Sequence, residues 1–433
     1  MKGKLKCLKQ FNWQLWFSLC ALALIPAVYQ TVKTFLLSAN GEAETFDIIG
    51  QMEWFDLMNE TLQAFLIVPL YSILNKILKS RKEQFAESVF KTGAVCFIAY
   101  MMFSLGVLIY GSKLISVMNP GKIAFSVTNT YLRLETIAFM IAITVSFFNV
   151  VFVVVGKSKN IYIFLALRTI LSVIADFLLI PNFSVYGAAV SNIIVNTILA
   201  AASFLLLYAG GYIKLSWYKK TDIYAFREWC RTGVFSGLQQ FIDNFIYAVM
   251  ICRMLNLVAE QGNYWIANNF IWGWLLLPIS ALAEVIKSDC KVGYKNLKQS
   301  NYYFISGAVV ILWTLSIPGW MPFFQYAQKL SNANEIFDIV LKLSPFYIAY
   351  AGYAIIDNIF IGLGKTTYNA VNSVIINLIY YGIFYVLYLA KAIVFNMDAI
   401  VLMFGFGMVV HWIVSIIQEK LFLKKYRENQ EAG

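Results

Sequence analysis

The hydrophobic pattern of this chain is a succession of long apolar runs separated by short polar connections. A membrane-spanning helix needs about 20 mostly apolar residues. Twelve runs meet that requirement: 13–39, 46–78, 88–111, 130–155, 159–180, 184–209, 230–257, 262–288, 301–324, 336–363, 367–391 and 396–421. The second is long enough to tilt or to extend beyond the bilayer. The pattern predicts an all-α polytopic membrane protein. The basic start, Met1 to Asn12, followed by an apolar run resembles a signal peptide. However, the run from Trp13 to Ala39 exceeds an ordinary h-region and has no A-x-A cleavage signal, so it reads as the first span.

Charge fixes the topology. About 25 of the 34 Lys and Arg fall on the side of the termini in a twelve-span arrangement, and roughly seven on the other. The first group includes Lys2, Lys4, Lys6, Lys9, Lys76, Lys79, Arg81, Lys82, Lys219, Lys220, Arg227, Arg231, Lys420, Lys424, Lys425 and Arg427. The positive-inside rule then puts both termini in the cytoplasm of a cell-membrane protein. A miscount by one span would scramble this asymmetry.

Composition adds little beyond agreement. The chain of 433 residues is 60% hydrophobic and 13% charged, against roughly 45–50% and about 25% in soluble domains. The net charge of +11 sits in short clusters between apolar runs, which is topological and not a nucleic-acid footprint. The six cysteines, Cys7, Cys20, Cys96, Cys230, Cys252 and Cys290, form no CxxC pair and read as small apolar side chains.

The longest charged connection, Lys214 to Arg231, falls at the middle of the chain. It divides an N-terminal six-helix bundle, 1–213, from a C-terminal one, 232–433, with 214–231 as a cytoplasmic linker. The halves repeat weakly. Val155-Gly156-Lys157-Ser158 ends the fourth span and Leu363-Gly364-Lys365-Thr366 ends the tenth, 208 residues later. Neither copy has the earlier glycine or the preceding strand of a phosphate loop, so both read as tight turns. Repeated halves favour a parallel repeat about the membrane normal.

Acids at membrane depth are expensive and usually functional. Six stand out: Glu53, Asp56 and Glu60, then Asp176, Asp243 and Asp357. The first three, spaced i, i+3, i+7, share one helix face, and Gln63 extends it. Three carboxylates there cannot all ionise comfortably, so the face can take up protons, coordinate a cation or attract a cationic solute. The competing reading is a solvated helix end paired with Lys33. Gln240, Asp243 and Asn244 share a second face, and Asp357-Asn358 is a similar pair. Asp176 lies two turns beyond Arg168, which allows a structural tie between them. Pro26, Pro69, Pro278 and Pro345 break apolar runs, which permits bends. His411 is the only histidine and has no acid at i±3 or i±4, so it reads as packed or interfacial. No metal set, nucleotide motif or hydrolase signature is present, which argues against an ATP-driven pump and against an enzyme.

The segment Leu171 to Ile180 with Asp176, followed by Val185-Tyr186-Gly187-Ala188-Ala189-Val190-Ser191, resembles the fifth and sixth helices of multidrug and toxic compound extrusion (MATE) transporters. The Gly156 and Gly364 turns, Gly233 to Asp243, and Pro278 with Gly293 resemble other parts of that pattern. The resemblance implies two pseudo-symmetric six-helix bundles around a central cavity. It implies export of small organic cations in exchange for H⁺ or Na⁺, by a monomer in the lipid bilayer, with no cofactor beyond that coupling ion. It places ion coupling on Asp176, Asp243 and Asp357, although Asp357 lies closer to Gly364 than in the family pattern. One departure is clear. Many bacterial members carry an Asp in the first helix, whereas Pro26 to Gly41 has Lys33 and Asn40 but no acid. The Glu53, Asp56 and Glu60 trio has no counterpart in that pattern. With Gln240 and Asn244 it is the candidate substrate surface. Two alternatives remain open: a lipid-linked saccharide flippase of the wider superfamily, whose cavity should be cationic, and a non-transporting membrane protein descended from a transporter.

Overall fold

The structure, a computed structural model, describes residues 11–41, 44–121, 124–215 and 223–431. Lys2, Lys4, Lys6, Lys9, Cys7, Lys219 and Lys220 lie outside the described residues, as does the 216–222 part of the 214–231 linker.

Sixteen α-helices are numbered here in chain order: α1 Trp13–Asn40, α2 Thr45–Gly50, α3 Glu53–Leu66, α4 Leu70–Ser80, α5 Phe85–Met118, α6 Phe125–Val154, α7 Lys159–Ala209, α8 Ile223–Tyr247, α9 Arg253–Val258, α10 Gln261–Phe270, α11 Leu277–Asp289, α12 Gln299–Pro322, α13 Ala333–Gly362, α14 Thr367–Val374, α15 Tyr381–Leu389 and α16 Met397–Glu431. Among the described residues, ten continuous helical stretches are long and apolar enough to span a membrane, and α10 with α11 makes an eleventh that bends by 51°. The 51-residue α7 holds two of the expected spans, 159–180 and 184–209, because Ser184 (φ +50°, ψ −131°) breaks it. The twelve expected runs are thus all present. Most helices overshoot their apolar runs by a few residues, since the backbone stays hydrogen-bonded into the headgroup region.

The Ser184 turn explains the small residues after it. A Cβ on Gly187 would stand 2.4 Å from the Leu179 carbonyl oxygen, so only glycine lets the chain pass there. The two Gly-Lys turns are the same device twice. Gly156 and Gly364 have φ of +73° and +68°. In each, the glycine N–H bonds three residues back and the following lysine N–H five residues back: Lys157 to Phe152 at 2.8 Å, Lys365 to Phe360 at 2.7 Å. These are Schellman caps, which require a left-handed residue.

Contacts group the chain into two compact units, Val32–Gly262 and Met1–Thr31 with Asn263–Gly433. This grouping divides the chain at different points from 1–213 and 232–433. All of α8 and α9 belong to the first unit, and the first part of α1 to the second. In the Val32–Gly262 unit α6 runs along α7 and α3 along α8, over a core that includes Leu70, Val89, Val150, Leu199 and Trp229. In the other unit α13 runs along α16, and Phe11, Val285, Tyr302, Ile355 and Ile359 form a core. Large apolar side chains also face outward, such as Ile109 and Leu315, each 71% exposed. A soluble protein would bury them, whereas a bilayer accepts them. This is a multi-pass membrane protein.

The prolines divide by role. Pro69 stands at the break between α3 and α4, and Pro278 opens α11 just after the 51° bend. Pro26 and Pro345 lie inside their helices.

Candidate functional site

Within the Val32–Gly262 unit, α3 presents the carboxylate face that the spacing predicts. Its start is pinned by a buried amide network. Gln51 Nε2 donates to Thr128 Oγ1 (2.6 Å), Asn119 bonds Gln51, and Asn256 Nδ2 donates to the Met118 carbonyl (2.8 Å). Asp56 and Glu60 are exposed and Glu53 is half-buried. Further along, Gln63 accepts from Ser146 Oγ (3.1 Å).

Glycine brings α8 against α3. A Cβ on Gly233 would lie 2.4 Å from the Phe65 carbonyl oxygen, and one on Gly237 would lie 2.3 Å from the Phe65 ring. Small residues four apart allow this approach between membrane helices. Trp229 Nε1 then donates to the Leu66 carbonyl (3.0 Å), and Lys76 pairs with Glu228. The approach delivers the polar face of α8. Gln240 Nε2 donates to Asn244 Oδ1 (3.0 Å), and Asn244 Nδ2 donates to the Leu57 carbonyl (2.9 Å) and Thr61 Oγ1 (3.1 Å). Asn244 also hydrogen-bonds Glu60. Asp243, half-buried, is on the same stretch.

One further acid joins them that the sequence reading missed. Glu135 on α6 is 7% exposed and accepts from Asn192 Nδ2 (2.9 Å) and from Tyr131. It repels Asp56 and Asp176, and Lys33 attracts it. Asp56 feels Glu135, Glu53 and Glu60 as repulsion and Lys33 as attraction. Asp176, on α7, is 1% exposed. Arg168 donates to Asn196 Oδ1 (3.1 Å). Charge interactions thus link Glu53, Asp56, Glu60, Glu135 and Asp176 into one group, and Lys33 acts on two of its members, Asp56 and Glu135. The lysine does reach one α3 acid, as the solvated-end reading anticipates. Glu135 had a signal in the sequence. It lies inside the 130–155 run, close enough to the run's start to read as a span end.

Asp357 belongs to the other unit and has its own partners. His411 Nε2 stands 2.8 Å from Oδ2, and Ser415 Oγ donates to Oδ1 (2.9 Å). Asn372 Nδ2 donates to Ser415 Oγ (2.7 Å), and the Tyr353 ring stacks on His411 at 3.8 Å and 14°. Glycine again sets the approach: a Cβ on Gly352 would lie 2.6 Å from Trp412. His411 is packed, and its own helix carries no acid beside it. Its acidic partner, which local spacing cannot show, lies 54 residues away on a neighbouring helix. No group of three or more His, Cys, Asp or Glu among the described residues can hold a metal ion.

No family model matches this chain, and no curated protein is similar to it. Solved structures are. An inward-facing multidrug resistance MATE family transporter of the MOP superfamily superposes with a TM-score of 0.76 at 15% identity, covering 93% of this chain and 95% of that one. An outward-facing structure of such a transporter gives 0.67 at 15%, covering 97% and 98%. A variant of the Vibrio cholerae MATE transporter VcmN gives 0.68 at 12%, covering 98% and 99%. At these identities the likeness is one of fold, and it spans nearly the whole chain: the twelve-helix, two-bundle plan is that of MATE transporters.

Proposed function

We propose that this chain is a secondary active transporter of the cell membrane that exports small organic cations in exchange for H⁺ or Na⁺ by alternating access. The observation that supports the reading is the group of carboxylates on α3 and α6, with Lys33 acting on Asp56 and Glu135 and with Asp56 and Glu60 open to solvent. Acids grouped in this way bind a cation, a proton or a cationic solute. A pyrophosphate-linked saccharide would meet repulsion at the same place, which favours the cationic solute over the flippase alternative.

The chemistry is competition. Asp56 and Glu60 give the α3 face its accessible charge, and Gln240 and Asn244 add amide dipoles beside it. Asp176, Asp243 and Asp357 are the proposed coupling acids. Entry of the coupling cation from outside would neutralise the face and release the solute. Loss of that cation inside would restore the charge. The membrane potential adds about 2.3 kcal/mol per charge per 100 mV. The monomeric state and cytoplasmic termini complete the proposal.

The test is efflux of a fluorescent organic cation from vesicles, with Na⁺ and pH gradients imposed separately. Either gradient should drive efflux. Failure of both would remove the antiporter reading.

A further inference from the structure

We propose a binding site for one anionic phospholipid on the Val32–Gly262 unit. An apolar cavity of about 290 Å³ between α5, α6 and the end of α7 takes an acyl chain, and Lys157 and Lys214 at its polar rim hold the phosphate. The site uses none of the carboxylates described above and no transport step.

The cavity lies near one end of three helices. Val89, Gly93 and Phe97 of α5 line it, with Thr144 and Phe147 of α6 and Phe204 of α7. The lining begins one turn inside α5, and Val89 to Phe97 is a rise of about 12 Å. Half of a bilayer's hydrocarbon core is about 15 Å, so the cavity sits within one leaflet. Its floor is closed, since Val89, Cys96, Ile143 and Phe147 are buried, and its lip is open, with Phe97 exposed and Phe90 and Ala94 half-buried. No charged residue lines it. Water would find at most the Thr144 hydroxyl there, too few partners to hold it. Empty space would forfeit contacts along every wall. The solvent at that depth is hydrocarbon, so an acyl chain is the occupant.

The rim selects which lipid supplies that chain. α7 ends in a third Schellman cap: Gly211 has φ +72°, and Tyr212 N–H bonds the Leu207 carbonyl (2.9 Å). The cap turns the chain back onto α5, where Lys214 N–H bonds the Ala86 carbonyl (3.1 Å). Ile213 is thereby buried as a wall of the cavity, and the lysine beside it stays at the polar edge. The Lys214 side chain is 70% exposed, with Nζ 3.6 Å from Glu87 Oε1. Lys157, from the Gly156 turn, places its Nζ 5.2 Å from the centre of the Tyr212 ring.

Two ammonium groups thus flank residues 212–214 against one carboxylate, and each ammonium carries three donors. A phosphodiester with no cation of its own completes that balance, whereas a choline headgroup brings in a further positive charge. The rim also lies on the side rich in lysine and arginine, assigned above to the cytoplasm, and anionic lipid gives that leaflet its negative potential.

The experiment uses the full chain in phosphatidylcholine nanodiscs with a trace of phosphatidylglycerol that carries a diazirine on one acyl chain. After illumination, labelled residues are mapped by mass spectrometry. Label should concentrate on Phe90, Ala94, Phe97 and Phe204. Unlabelled phosphatidylglycerol should displace it, and an equal addition of phosphatidylcholine should not. Lys157→Gln and Lys214→Gln should each raise the phosphatidylglycerol needed for half-displacement about fivefold, the effect of one lysine near an anionic surface. Lys113→Gln, toward the far end of α5, should leave it unchanged. Ala94→Phe puts a ring into the cavity and should remove the label. Label spread evenly over outward residues such as Ile109, equal displacement by the two lipids, unaltered half-displacement in both rim-lysine variants, or full labelling of a folded Ala94→Phe overturns the site. If a variant fails to fold, the pair of displacing lipids decides the matter on the unaltered chain. Because no transport is measured, failure here leaves the antiporter reading standing, and the reverse holds too.

Discussion

The two units treat their membrane-depth acids in opposite ways. In Val32–Gly262, Asp56 and Glu135 share one lysine and repel one another. In the other unit Asp357 has a histidine on one oxygen and a hydroxyl on the other. The first arrangement sets several acids against one base, so it gains from a mobile cation. The second is internally satisfied, so it gains nothing from a cation unless its own proton count changes. The number of acids in a membrane helix is therefore a poor guide to their role. What surrounds each acid decides between a binding surface and a self-contained pair.

That contrast can be broken. The largest effect is expected from Asp243→Asn, which should reduce gradient-driven efflux by about a hundredfold or more, as loss of an essential proton or ion carrier does, while the protein still elutes as a folded species. Efflux at the parental rate would remove Asp243 from coupling. Asp56→Asn should act next, lowering affinity for an organic cation by about tenfold, the effect of removing one charge from a partly solvated site. An equal loss of affinity in Asp357→Asn would erase the proposed difference between the units.

A third test sharpens the comparison on packing. Gly237→Ala and Gly352→Ala push against Phe65 and Trp412 respectively. Each should cost about 1–3 kcal/mol of stability, as overpacking does, read as a lower thermal midpoint in detergent. Gly237→Ala should also weaken cation binding, since it lifts Asn244 from Glu60. Gly352→Ala should leave that affinity alone.

The smallest effect is expected from His411→Gln. Glutamine keeps a donor for Asp357 but loses the ring that stacks on Tyr353. The thermal midpoint in detergent should fall slightly while affinity for an organic cation stays at the parental value. A loss of affinity equal to that of Asp56→Asn would contradict the separation of the two units.

Much of this was legible in the sequence. The apolar runs gave the spans, since a bilayer demands continuous stretches of fixed length. The two Gly-Lys turns were readable because a left-handed cap favours glycine. The α3 face followed from helical period, and so did the Gln240–Asn244 pair, which bonds within one helix. The unbroken look of 159–209 still required the Ser184 turn, and the charge pattern had already demanded it.

What the sequence by itself determined is therefore local or one-dimensional: span lengths, turn chemistry, and which residues of one helix share a face. The tertiary structure alone decided which helices meet. It joined Glu135 to Asn192 across 57 residues and Asp357 to His411 across 54. The physical reason is that helical period fixes angles within a helix, whereas pairing between helices depends on their axial register and closeness. Those are set by where glycine permits approach and by where a π-turn shifts the register, and neither follows from the residues of one helix alone.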